Sequence, residues 1–240
     1  MTRRILLLTA LWLISLGRPL QADYTDYLPS SYEAERSNIY VGIDISKFQH
    51  TINWKHVDTS LHFVVVKATE GLTLKDRKFD EHWDNIHPTM HKGAYHFFNP
   101  VRRGKDQAKF FLSTVKFKKG HLAPVIDVEY TRNYGKISRK QIARNLREMI
   151  VHIEKTLKVK PIIYTNAGCW NKYIAPYFGG MENNYHLWIA DYGGLSQPRI
   201  PKSWKTWSIW QHTDKAKMRG INGTVDINLC KVEMEKLLIK

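Results

Sequence analysis

The apolar run Leu122-Ala-Pro-Val-Ile126 ends in Asp127-Val128-Glu129. In a β-strand, residues two apart share a face, so both carboxylates project together while Ile126 and Val128 point away. Two acids at the end of a buried strand are costly unless they bind a cation or carry out proton chemistry. A lone Asp-x-Glu fits a helix N-cap or an arginine-paired structural acid equally well. The other strands of the chain argue for chemistry, because several of them end in the same way.

Short β-branched or aromatic runs recur at Tyr40–Ile45, Phe63–Ala68, Gly93–Phe98, Ala123–Val128, Pro161–Thr165, His186–Ala190, Thr206–Trp210 and Thr224–Ile227. Helical patterns sit between many of them. Ser138 opens one in a Ser-x-x-Gln cap, followed by a stripe of Ile142, Leu146, Met149, Ile150, Ile153 and Leu157. Gln107–Val115 and Phe79–Ile86 are two more, and Val232–Leu238 reads as a short closing helix. Several later connections are too short for a full helix. The pattern predicts an α/β fold, an irregular (β/α) barrel of about eight strands with incomplete helices, with a doubly wound open sheet as the runner-up.

In a parallel barrel the carboxyl ends of the strands build the active face. Those ends carry Asp44, Glu70, His96, Asp127 with Glu129, Asn166, Asp191, Gln211, and Asp226 with Asn228. Aromatic residues accompany them: Phe48, Tyr95, Phe98, Tyr164, Trp188, Tyr192 and Trp210. Flat aromatic faces beside acids and amides suit a carbohydrate, whose C–H faces stack while its hydroxyls hydrogen-bond. Core packing is the competing reading for about half of that set. The matching reaction is glycosidic cleavage, in which one carboxyl protonates the leaving oxygen and a second anion supports the oxocarbenium-like transition state. Repulsion within a carboxylate cluster keeps one member protonated. Cα atoms two apart on a strand are about 6.6 Å apart, which leaves both retention and inversion open.

Several blocks together resemble glycoside hydrolase family 25, the lysozymes acting as N-acetylmuramidases. They are Val41-Gly-Ile-Asp-Ile-Ser-Lys-Phe-Gln49, Val66-Lys-Ala-Thr-Glu-Gly71, Gly93-Ala-Tyr-His-Phe97, Asp127-Val-Glu129, Ile163-Tyr-Thr165, Leu187-Trp-Ile-Ala-Asp-Tyr192, Trp210-Gln211 and Val225-Asp-Ile-Asn228. The resemblance implies cleavage of the β-1,4 bond between N-acetylmuramic acid and N-acetylglucosamine in peptidoglycan, without metal or cofactor and with retention as the leading expectation. It makes Glu129 the general acid and then base. Asp127 stabilises the transition state or orients the N-acetyl group, and whether Asp127 or the acetamide is the nucleophile stays open. Asp44 and Asp226 line the floor and tune the central pair. Asp191, Tyr95, Tyr164, Trp188, Trp210, Gln211, Phe98 and Tyr192 are expected to bind sugar. A non-catalytic peptidoglycan- or chitin-binding pseudo-enzyme is the alternative, disfavoured because a binder does not need several costly acids.

The chain has 240 residues, 43% of them hydrophobic, with a formal net charge of +15. Residues 1–22 read as a secretory signal, with Arg3 and Arg4 before an apolar stretch and Leu20-Gln-Ala22 as a cleavage site; an uncleaved anchor is the alternative. Residues 23–39 read as a tether and 40–240 as the catalytic domain. An exported product is therefore expected, in the medium, the periplasm or the envelope, and as a monomer with peptidoglycan strands as its partner. The basic residues are scattered without a nucleic-acid-binding motif, which ranks a nucleic-acid binder below the other readings and favours attraction to an anionic wall. Cys169 and Cys230 are compatible with a bridge or with two buried thiols. No spacing of His and Cys suggests a metal site.

Overall fold

A computed structural model of the chain describes residues 38–194 and 196–240. The expected signal segment and residues 23–37 of the expected tether over 23–39 lie outside the described residues, and Ile39 at the tether's end is buried in the core. Nine strands form one sheet: β1 (Tyr40–Ile45), β2 (Phe63–Glu70), β3 (Leu74–Lys75), β4 (His91–Phe97), β5 (Val125–Val128), β6 (Ile162–Thr165), β7 (Leu187–Ala190), β8 (Ile209–Ala216) and β9 (Val225–Cys230). Their order is β1-β9-β8-β7-β6-β5-β4-β2-β3, and β1 also pairs with β2. That last pairing closes eight strands into a barrel, with β3 as a short antiparallel flap on β2.

Neighbouring strands from β1 through β2 and β4 to β8 run parallel, whereas β9 is antiparallel to both β8 and β1. This reversal corrects the reading of β9 as one more parallel strand. Asp226 lies at the start of β9, and reaches the mouth because the strand runs back toward the floor. The expected closing helix over 232–238 is a single 3-10 turn, Met234–Lys236. With β9 running downward, the following residues are drawn across the bottom of the barrel, where Leu238 bridges Leu122 and Ala123 N–H donates to the Leu237 carbonyl at 2.8 Å.

Residue parity divides the core in two. Inward side chains Phe63, Val65, Val125, Ile162, Ile209 and Cys230 fill the lower barrel with Leu122, Met234 and Leu237. Outward residues such as Ile43, Val64, Val66, Ile126, Val128, Ile163 and Ile189 pack under the helices. Gly42 is inward, and a Cβ there would come within 2.4 Å of the Phe63 ring. The missing side chain is what admits that ring to the barrel centre.

The helical layer is incomplete, as the short connections predict: α1 (Phe79–Asn85), α2 (Gly104–Thr114) and α3 (Arg139–Leu157) are followed by the short α4 (Ala167–Cys169) and α5 (Ala175–Phe178), joined by a π turn over Trp170–Ile174. Ser138 caps α3 by accepting from Gln141 N–H at 3.2 Å. The expected apolar stripe of α3 is buried from Ile142 through Ile153. The segment from Ala167 to Phe178 was not anticipated from the sequence, where Gly168 and Pro176 interrupt helical periodicity. Cys169 and Cys230 are both buried free thiols. Among the described residues, no helix is long and apolar enough to cross a membrane.

Candidate active site

A cavity of about 200 Å³ opens at the mouth of the barrel. It is lined by Asp44, Tyr95, Val125, Asp127, Glu129, Tyr164, Trp188, Tyr192, Gln211, Asp214 and Asp226. The four acids expected to carry chemistry thus converge, brought from β1, β5 and β9 by one parity rule.

Asp44 and Asp226 face each other across the antiparallel β1–β9 ladder. Side chains so opposed start about 4.5–5.5 Å apart, and two like charges there are destabilising. Neighbouring amides show which acid keeps its charge. The Trp188 indole can only donate, and its Nε1 bonds Asn228 Oδ1 at 2.8 Å. That contact turns Asn228 Nδ2 toward Asp44 Oδ2, 2.8 Å away. Gln211 is turned likewise: its Oε1 accepts from Tyr164 OH at 2.7 Å and from Tyr192 OH, and its Nε2 donates to the same Asp44 oxygen at 2.7 Å. Two amide N–H donors on one oxygen favour the carboxylate, against the desolvation that raises Asp44. Asp226 carries the proton of the pair. Burial, then the Asp44 charge and its hydrogen bond, push the Asp226 pKa far above the usual carboxylate range.

The second pair is less well satisfied. Asp127 is 6% exposed, and its Oδ1 is buried with no hydrogen-bond partner. Burial and then the nearby Glu129 charge drive its pKa well up. Glu129, one residue beyond the end of β5, is half-buried and also raised, first by burial and then by Asp44. Lys67 opposes both shifts, but its ammonium is tied to Glu70 at 2.9 Å and lies 4.8 Å from the centre of the Phe97 ring. Burial and neighbouring charge thus bias both carboxyls toward the protonated form.

The remaining expected residues divide by parity. Tyr95, Tyr164, Trp188, Tyr192 and Gln211 line the cavity. Phe98 and Trp210 do not; they are outward-facing and buried in the layer beneath the helices. Asp191 follows the inward Ala190 and so also turns away from the cavity. It binds Arg199 through Nε at 2.9 Å and Nη2 at 2.5 Å, and it accepts from the Arg199 backbone N–H at 2.7 Å. Its backbone carbonyl accepts from Trp210 Nε1 at 2.8 Å. Asp191 thereby pins the loop that carries Tyr192 instead of lining the cavity itself. Of the other strand-end residues, His96 is outward and lies between Thr69 Oγ1 (2.8 Å) and Gln107 Oε1 (3.1 Å). Asn166 caps α4, and Glu70 is taken by Lys67.

Sequence reasoning missed Asp214. β8 continues six residues past Trp210 and shifts register between Gln211 and Thr213, which delivers Asp214 to the rim. The run Gln211-His-Thr-Asp214 is polar throughout and carries no apolar alternation to mark it as strand. Among the described residues, no three His, Cys, Asp or Glu side chains are arranged to hold a metal ion.

The family model for glycosyl hydrolases family 25 matches residues 43–221. The chain belongs to that family. A family 25 chain with this cavity is a glycoside hydrolase, as its lysozyme relatives support. It is 34% identical over 227 residues to the uncharacterized protein YegX of Escherichia coli (strain K12), covering 92% of this chain and 77% of that one. Lysozyme M1 of Streptomyces globisporus is 30% identical over 207 residues, covering 82% and 69%. Among solved structures, a family GH25 lysozyme from Aspergillus fumigatus superposes with a TM-score of 0.72 at 30% identity, covering 83% of this chain and 97% of that one. The bacterial lysozyme from Streptomyces coelicolor gives a TM-score of 0.74 at 28% identity, covering 82% and 94%. The family 25 barrel is thus shared almost end to end over the described domain.

Proposed function

We propose that this hydrolase cleaves the β-1,4 bond between N-acetylmuramic acid and N-acetylglucosamine in peptidoglycan, with retention of configuration. The observation that carries the proposal is the meeting of Asp127 and Glu129 with an amide-locked Asp44–Asp226 pair in one cavity. The lysozyme names of its relatives support the choice of substrate. An export segment over residues 1–22 belongs to the same proposal, since the substrate lies outside the cytoplasm.

The proton follows from the geometry. Before substrate binds, Asp127 and Glu129 compete for it, and Asp127 has the more buried oxygen without a donor. A bound N-acetyl sugar brings an amide N–H to the Asp127 carboxylate, which stabilises its charge. The proton is then left on Glu129, which delivers it to the leaving glycosidic oxygen and later activates water. Asp127 supports the developing positive charge, as the nucleophile at the anomeric carbon or through the acetamide. The Asp44 carboxylate adds negative potential beneath and keeps Glu129 from ionising early. Tyr95, Tyr164, Trp188 and Tyr192 supply ring faces and hydroxyls for the sugar.

The test is incubation of the purified protein with peptidoglycan, followed by assay of new reducing ends at muramic acid. Wild type releases them; Glu129→Gln does not, yet still sediments with the walls. Turnover by Glu129→Gln close to wild type, or reducing ends at N-acetylglucosamine alone, would sink the proposal.

A further inference from the structure

Tyr130, the residue after Glu129, is 58% exposed. Its ring stacks on Tyr173, with centroids 5.4 Å apart and planes 28° apart. Buried Tyr134 supports both, meeting Tyr173 edge-on at 5.0 Å and Tyr130 at 5.8 Å. These residues follow the carboxyl ends of β5 and β6, the strands that carry Asp127 and Tyr164, so the platform stands at the edge of the mouth. Two cations frame it: the Arg139 guanidinium lies 5.6 Å and the Lys172 ammonium 5.1 Å from the centre of the Tyr173 ring. Both residues are exposed, and among the described residues neither has an ion-pair partner.

The surrounding sequence makes this patch electrostatically uncomfortable. From Tyr130 to Arg147 there are six arginines and lysines and no acid. The first turn of α3 likewise has no acid, although acids are favoured there and cations are not. Arg144 is paired with Glu148 at 3.8 Å, but among the described residues no acid pairs with Arg139 or Lys172, whereas an outside anion would. Sugar hydroxyls give no reason for such charge. Peptidoglycan also carries short peptides with free carboxylates and apolar side chains, and these hang from the muramic acid whose bond is cut. Such a peptide must leave the strand close to Glu129.

We propose that the Tyr130–Tyr173 platform with Arg139 and Lys172 binds this acidic peptide, making the enzyme selective for peptide-bearing strands. The inference rests on the peptidoglycan reading above. Carboxylates pair with the two cations, and apolar side chains lie on the tyrosine faces.

The experiment compares kcat/KM on glycan strands that keep their peptides with the same strands stripped of them by an amidase. Wild type should favour the peptide-bearing strands about five- to tenfold at low salt, a preference that shrinks as salt screens the exposed pairs. The Arg139→Ala/Lys172→Ala double variant should lose the preference with its rate on stripped strands and its thermal unfolding unchanged. Arg139→Glu/Lys172→Glu should disfavour the peptide-bearing strands. Equal wild-type rates on the two strands, or variants that slow both alike, would overturn the inference while leaving the muramidase reading intact. Weaker attachment to whole walls with an unchanged strand preference would assign the patch to another wall anion and also overturn it. If wild type cuts neither strand, the muramidase reading itself fails and takes this inference with it.

Discussion

Adjacent residues at the barrel mouth meet opposite fates. Tyr95 lines the cavity, while His96 is buried behind it between Thr69 and Gln107. Gln211 holds Asp44, while Trp210 packs under the helices. The inward set is polar, crowded with acids and partly unsatisfied; the outward set is apolar or fully hydrogen-bonded. Position along a strand brings a residue to the active end, but parity decides whether it meets the ligand or the core. Chemistry and stability are thus interleaved at single-residue spacing, and substitutions one position apart should separate them.

The largest expected effect is on the inward side. Glu129→Gln should lower kcat on the order of a thousandfold, the usual scale for losing a general acid, with no loss of thermal stability, measured by reducing-end release beside a melting curve. Phe98→Ala, on the outward side, should do the reverse. Removing a fully buried ring costs about 3–5 kcal/mol, seen in urea unfolding, while activity per folded molecule holds. A collapse of activity in folded Phe98→Ala protein would break the comparison.

Asp226→Asn should sharpen it. Asp226 has a raised folded pKa, so the folded state holds a proton that the unfolded chain gives up above the ordinary carboxylate range. Stability is therefore lost as pH rises from about 4 toward the folded pKa. The asparagine, which has no proton to lose, should raise stability at neutral pH on the order of 1 kcal/mol, about 2–4 °C in a chain of this size. It should also flatten the melting temperature against pH and lower activity.

The smallest effect is expected at Asp191→Asn. Arg199, through its hydrogen bonds, holds the Asp191 pKa below the usual range. Its contribution is present above that range and fades as pH falls through the folded pKa. The variant should match wild type at strongly acid pH and be slightly less stable at neutral pH. A modest rise in KM is also expected, because the Tyr192 loop is freed.

Much of the molecule was legible in its sequence. Seven of the eight barrel strands were visible as β-branched runs, β8 (Ile209–Ala216) being met only at its first two residues by the run Thr206–Trp210, and the Ser138 cap with its apolar stripe marked α3. The convergence of Asp44, Asp127, Glu129 and Asp226 followed from their shared place at strand ends, although Asp226 reaches the mouth for a different reason than a parallel reading supplies. Strand direction was not legible, because periodicity is the same read either way, and the closing helix was lost with it. Phe98, Trp210 and Asp191 stand near strand ends in the sequence, but parity turns their side chains away from the cavity. The i, i+2 rule that links Asp127 to Glu129 also separates Tyr95 from Phe98 and Gln211 from Trp210. Asp214 stayed hidden because a register shift in a polar strand leaves no alternation to read.

The reversal of β9 has a spatial consequence for any use of this protein. β1 enters from the floor of the barrel and β9 returns there, where Tyr40 lies opposite Cys230 and the Tyr40 hydroxyl donates to Glu233 at 2.9 Å. A handle fused before Tyr40 or after Lys240 therefore emerges on the side away from the acids. Molecules fixed to a bead or a surface by either handle would all turn their open ends outward, free to receive an incoming strand.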